Sequence, residues 1–225
     1  MREAFQSDLQ ELGEDLVEMC DLVQSAVVDA NAALLNGDLG LAERVIAADA
    51  HIDEFQLQID ERAVDMLARQ SPVATDLRIL VAALRMSSSL ERMGDLAEHV
   101  ALVVRRRHPE QVFPEELRGT FESMGRLVVE AIEAAGKVIE DRDLALAAQV
   151  EKNDAEIDEL MMEVSRGVGR HDSGFTPAQI VDLTLLARFY ERIGDHAVSL
   201  VRRIGFLVTG GSIDPRTAAT DVEEI

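Results

Sequence analysis

Glu91-Arg92-Met93-Gly94-Asp95-Leu96-Ala97-Glu98-His99-Val100 returns one hundred residues later as Glu191-Arg192-Ile193-Gly194-Asp195-His196-Ala197-Val198-Ser199-Leu200. Both stretches contain Glu-Arg-x-Gly-Asp, and neither carries a Pro or a period-two alternation. On a helix, residues four apart share a face. Each copy therefore stacks two carboxylates side by side, a repulsive arrangement that calls for compensation by arginine or by a cation. Two copies imply a duplicated fold with two equivalent sites.

The repetition spreads outward from these decapeptides. Asp49-Ala50-His51-Ile52-Asp53-Glu54-Phe55 matches Asp154-Ala155-Glu156-Ile157-Asp158-Glu159-Leu160 at a spacing of 105 residues. The same spacing aligns Asp38-Leu39 with Asp143-Leu144, and Met19, Leu22 and Ala26 with Met124, Leu127 and Ala131. The spacing then falls to 100, so the second copy is five residues shorter between its second and third segments. Self-similarity at a fixed period outranks other sequence signals, and here the unit is half the chain.

Each unit reads as three helices. The first spans about 3–36 and stops at Asn36-Gly37, a good C-terminal pair. Asp38 then caps a second helix to about 69. Ser71-Pro72 reads as the start of a third, with Ser as cap and Pro in the first turn, running to about 107. Residues 105–114, with Arg105-Arg106-Arg107, Pro109 and Pro114, form the expected linker. The second unit repeats the plan over about 115–141, 143–168 and 177–208, with Thr176-Pro177 as the matching cap and proline. The expected class is all-α: two tandem antiparallel three-helix bundles over 1–108 and 109–208, with a flexible tail over 209–225.

The composition narrows the partners. With 43 acidic against 22 basic residues, the formal charge is −21. That balance opposes nucleic-acid binding, which needs clustered Lys and Arg, and adsorption to anionic lipid. It suits cations or basic surfaces. No stretch approaches the 18 or so apolar residues of a spanning helix, and the N-terminus lacks an apolar signal core. A membrane role would therefore run through a partner. The single cysteine, Cys20, fits a reduced, cytoplasmic setting and a small core position.

The acids can be placed by angle. In the sixth helix Leu183, Leu186, Tyr190, Ile193, Ala197, Leu200 and Ile204 form one apolar stripe. The third helix repeats it with Ile79, Ala83, Met86, Leu90, Met93, Ala97, Val100 and Val104. At about 100° per residue, Glu91/Asp95 and Glu191/Asp195 fall opposite the stripe, on an outer face or the groove beside it. Asp49/Asp53 and Asp154/Asp158 flank the stripes of their own helices, and antiparallel packing brings each pair beside its Glu/Asp partner. Four carboxylates in one patch form a hard oxygen site suited to Mg, Mn, Ca or ferric iron. Gly94 and Gly194, each directly before the Asp, cost a helix about 1 kcal/mol relative to Ala, and invite close approach by a neighbouring helix, a partner or a hydrated metal. A solvated acidic face offset by Arg92 and Arg192 is the competing reading. The histidines do not repeat: His51 aligns with Glu156, His99 with Ser199 and His196 with Leu96.

These motifs, with Ala68-Arg69-Gln70-Ser71-Pro72-Val73-Ala74-Thr75-Asp76-Leu77-Arg78, resemble the PhoU family of phosphate-signalling proteins over about residues 3–208. The resemblance implies tandem three-helix bundles and multinuclear surface metal clusters held by the Glu/Asp-x-x-x-Asp motifs. Carried over by position, the metal candidates are Asp49, Asp53, Glu91 and Asp95, then Asp154, Asp158, Glu191 and Asp195. The metals expected are iron, zinc, magnesium or manganese. The implied role is that of a non-catalytic negative regulator of phosphate homeostasis and two-component signalling. It would contact the phosphate ABC transporter ATPase subunit and a sensor histidine kinase, and a homodimer is expected. Asp76-Leu77-Arg78 has no counterpart in the sixth helix. The alternative is a helical iron- or metal-handling protein or metalloenzyme. Di-iron bundles use Glu-x-x-His pairs directed into the core, and no histidine here has Glu three residues before it. No Gly-x-Ser-x-Gly or Gly-x-x-x-x-Gly-Lys motif is present.

Overall fold

A computed structural model describes residues 2–141, 144–170 and 174–209, and side-chain placements from residue 5 onward. Six long helices carry the chain: α1 (Arg2–Asn36), α2 (Leu39–Gln70), α3 (Ala74–Arg107), α4 (Glu115–Asp141), α5 (Ala147–Val168) and α6 (Pro177–Thr209). Among the described residues there is no strand. The all-α expectation therefore holds, with each unit an up-down-up bundle. Residues 142–143 and the expected tail from 210 onward lie outside the described residues, and so does the Asp143 cap position.

Local chemistry explains most helix ends. The Asp38 side chain accepts from the Leu41 amide at 3.0 Å and starts α2. Thr176 starts α6: its hydroxyl accepts from the Gln179 amide at 3.2 Å, while the Gln179 side chain accepts from the Thr176 amide at 3.0 Å. That reciprocal pair satisfies two donors the first turn leaves over. The expected Ser71 cap is not observed. Ser71 adopts a left-handed conformation, φ 45°, and ends α2, and α3 begins at Ala74 after an extended Val73 that makes no side-chain cap. Three residues must reverse the chain between α2 and α3, and Ser71 is spent on the reversal. The fifth helix starts later than expected because a 3-10 turn, Leu144–Leu146, precedes it.

The expected apolar stripes form one continuous core, with Leu90, Met93, Met124, Ile157, Leu186 and Tyr190 almost fully enclosed. Ile79 is the exception in its stripe, being half-buried, while its neighbour Leu80 is enclosed. The two units meet along two antiparallel seams. In the α1–α4 seam the Arg118 guanidinium donates to the Leu35 carbonyl at 2.6 Å, and the buried Tyr190 hydroxyl from α6 donates to Asn31 at 3.0 Å. Glycines let these helices touch. A Cβ on Gly125 would lie 2.2 Å from the Asn31 side chain, and one on Gly136 3.2 Å from the Cys20 sulfur. Cys20 is buried, with its thiol pushed up to about 12 by burial and then by Asp21. It is the inert core residue expected. In the α3–α6 seam Arg106 and Arg107 both donate to the buried Asp182, and His99 packs on Phe189 at 5.3 Å.

Candidate metal centre

In the first unit the acids converge as the helical angles require. Asp49 and Asp53 project from α2, Glu91 and Asp95 from α3. Oxygens of Asp49, Asp53 and Asp95 all lie within 4.8 Å of one another. Glu91 stands beside this trio, with its carboxylate 3.5 Å from the Arg92 Nε. Arg92 also donates to Asp95 at 2.7 Å and so neutralises part of the cluster, as the sequence suggested. The spacing alone did not single out Glu98, one turn beyond Asp95, whose charge bears on Asp49. Glu91, Asp95 and Glu98 at i, i+4 and i+7 were the available signal.

The electrostatics register the crowding. Burial, then the charges of Asp53, Glu98, Asp95 and Glu91, raise the Asp49 carboxyl from 3.8 to about 6. Glu91 is raised by burial and by Asp95, against the Arg92 charge. Two unit charges 4 Å apart at an effective dielectric near 20 repel by about 4 kcal/mol, so partial solvation and one arginine do not fully offset a trio of acids.

The second unit uses the same motif differently. Burial, then Asp158, Asp195 and Glu191, raise Asp154 to about 6, opposed by Arg202. Yet Asp195 and Asp158 are exposed, while Glu191 is only 8% exposed, a correction to the expectation that all four acids face outward. Glu191 accepts from Arg188, three residues earlier, with the Arg192 charge a smaller offset, and its other oxygen, Oε2, is buried without a hydrogen-bond partner. Ser88 occupies the equivalent of Arg188 in the first unit, so Glu91 lacks that partner. Among the described residues, three mutually close carboxylates occur in the first unit alone.

The glycines resolve in favour of close helix packing. A Cβ on Gly94 would meet Ile52 at 3.1 Å and the Asp49 carboxylate at 3.4 Å. One on Gly194 would meet the Asp154 carboxylate at 2.8 Å and Ile157 at 3.2 Å. Their absence of a side chain draws α2 onto α3 and α5 onto α6, and leaves the first acid of each pair room beside the motif. Two histidines pack against rings: His51 lies edge-on to Phe55 at 6.3 Å, and His99 sits on Phe189.

The residues present fit a hard cation. The donor set is all oxygen, the first-unit trio is close enough for shared ligation, and the second unit holds an orphaned carboxylate oxygen at Glu191. Carboxylate-rich sets of this kind select magnesium, manganese, calcium or ferric iron over thiophilic ions.

Fold and site together define an internally duplicated, all-helical protein with a close carboxylate trio on its first unit and the matching acids on its second. The PhoU domain family matches residues 16–104 and again 121–204. The chain is 44% identical to a phosphate-specific transport system accessory protein, PhoU homolog 1, of Mycobacterium leprae, covering 93% of this chain and 95% of that one. It is 43% identical to PhoU homolog 2 of Mycobacterium tuberculosis, covering 93% and 99%. Its fold superimposes on the crystal structure of the phosphate transport system regulatory protein PhoU from Streptococcus pneumoniae with a TM-score of 0.84, at 25% identity over 93% of this chain and 99% of that chain. PhoU from Pseudomonas aeruginosa gives 0.83 at 28% identity, over 92% and 100%. The chain belongs to the PhoU family, and it is an accessory protein of that kind rather than an enzyme.

Proposed function

We propose that this chain is a non-catalytic cytoplasmic regulator of phosphate uptake that represses the phosphate-starvation response when phosphate is plentiful. It does so by contacting the ATPase subunit of a phosphate ABC transporter and a sensor histidine kinase. The observation that carries this reading is coverage: both units match the PhoU domain, and relatives matched over nearly their whole length are named accessory proteins of the phosphate-specific transport system. Among the described residues no helix is long and apolar enough to cross a membrane, which fits a protein that meets the membrane through its partners. The chain acts as a homodimer of two-unit protomers, divided near residues 108 and 109, and does not engage nucleic acid.

In this reading Asp49, Asp53, Glu91 and Asp95 hold one metal site, and Asp154, Asp158, Glu191 and Asp195 the other. A cation there neutralises the raised carboxylates and ties α2 to α3 and α5 to α6, stiffening the outer face of each unit. Deleting the gene and measuring a phosphate-starvation reporter in high phosphate tests the regulatory role. Derepression, reversed by the intact gene, is expected; an unchanged, repressed reporter overturns it. Co-purification of the tagged chain with the transporter ATPase and the kinase tests the partners, and absence of both from the complex overturns that assignment.

A further inference from the structure

The α3–α6 seam treats its two ends differently, and the repeat makes the difference interpretable. At the end formed by the C-terminus of α3 and the N-terminus of α6, Arg106 and Arg107 close over Asp182, an acid only 2% exposed. The repeat spacing of 100 places Ala82 where Asp182 stands and Phe206 and Leu207 where Arg106 and Arg107 stand, so apolar residues replace that ion trio at the other end of the seam. A groove of about 650 Å³ opens instead, bordered by Ala82, Arg78, Arg85, Arg202 and Arg203. Arg202 reaches Glu151 at 3.3 Å and Arg78 the Thr75 hydroxyl at 3.0 Å. The Nε of Arg203 is buried with no acceptor. Burial and the neighbouring Arg85 charge lower the Arg203 guanidinium below its ordinary value.

The buried, unpartnered Nε of Arg203 beside the exposed Arg85 makes this end of the groove a cationic spot in a chain of net charge −21, where an acid from outside can pair. The walls add a second requirement. Leu77 and Val81, four apart on α3, and Phe206 on α6 are 40%, 38% and 41% exposed. Apolar side chains at that spacing beside a groove between two helices suit a third helix laid along it. Asp154 and Asp195 border the same groove, so the acids of an occupant must sit at the Arg85–Arg203 end.

We propose that this groove docks an acidic amphipathic helix of a partner protein, whose carboxylates pair with Arg85 and Arg203 beside Ala82. Its apolar face covers Leu77, Val81 and Phe206. This assignment does not depend on metal or on phosphate signalling, and it names a surface rather than a partner.

A displayed library of 16-residue helical peptides, selected against the intact purified chain, tests it. Acid-rich amphipathic sequences should be enriched, and synthetic versions should bind at least tenfold more weakly to Arg85→Gln/Arg203→Gln. Ala82→Asp sets an acid of the chain itself beside the Arg85–Arg203 end, so it should abolish peptide binding. Enrichment that is blind to these substitutions overturns the proposal. Two further outcomes also overturn it: displacement by millimolar inorganic phosphate with the same arginine dependence, which makes the groove a small-anion site, and monomerisation of Ala82→Asp from a dimeric wild type, which makes the occupant a second copy.

Discussion

The two acidic sites share their motif and not their geometry. In the first unit Asp49, Asp53 and Asp95 converge and Arg92 caps them from the solvent side. In the second, Glu191 pairs with Arg188 and is only 8% exposed, Asp158 and Asp195 are exposed, and among the described residues the matching trio does not form. Ser88 in the first unit against Arg188 in the second is one difference beside the motif. Duplicated acids do not guarantee duplicated sites, because each carboxylate also answers to the charges next to it.

The largest expected effect breaks the comparison at its acids. In manganese titrations of metal-free protein, Asp53→Asn should weaken the tighter class of site at least tenfold, while Asp158→Asn should change the weaker class only slightly. Equal losses would mean that the two sites are alike in solution. Arg188→Ser gives the second unit the neighbour of the first and frees Glu191; its site should tighten several-fold, with the first unit unaffected. No change would mean that the Arg188 pair does not hold Glu191 back from a cation.

A smaller effect is common to both units. Asp49 and Asp154 rise from 3.8 to about 6 on folding. An acid raised in the fold binds its proton more tightly folded than unfolded, so its protonation adds stability that is complete below pH 4 and lost as pH rises through 6. In chelator the Tm should therefore fall by a few degrees between pH 4.5 and 7, and Asp49→Asn or Asp154→Asn should flatten that slope. With saturating metal the trend should weaken or reverse, because protons compete for the same oxygens. A rising Tm in chelator would contradict the crowding.

The smallest effect concerns the glycines. Alanine gains about 1 kcal/mol in helix propensity, but at Gly94 its Cβ presses on Ile52, and at Gly194 on the Asp154 carboxylate. Gly94→Ala should leave stability within about 1 kcal/mol of wild type, whereas Gly194→Ala should chiefly lower metal uptake in the second unit. Denaturant melts together with metal content distinguish the two.

Much of this was legible in the sequence. The repeat and the 3.6-residue stripes defined the six helices, because periodic burial is a property of each helix alone. The Thr176 cap was legible for the same reason, with Gln179 three residues on completing it. Ser71 was not: it carries the same kind of signal, but a three-residue reversal between α2 and α3 takes the residue for a left-handed turn. The helical angle set Glu91, Asp95 and Asp195 off the core, as the fold has them, and missed Glu191, which is only 8% exposed and pairs with Arg188. The groove at the open end of the α3–α6 seam was invisible because Ala82 and Arg85 on α3 meet Arg203 and Phe206 on α6 only once the two helices pack.

The central claim is that the Glu-Arg-x-Gly-Asp motifs and their Asp partners hold metal. Elemental analysis of protein purified without chelator, wild type against Asp95→Asn/Asp195→Asn, tests it most directly. The account predicts bound magnesium, manganese, zinc or iron in the wild type and a marked loss in the variant, with helix content unchanged by circular dichroism. Equal, near-zero metal in both proteins, after exposure to each ion, would contradict it.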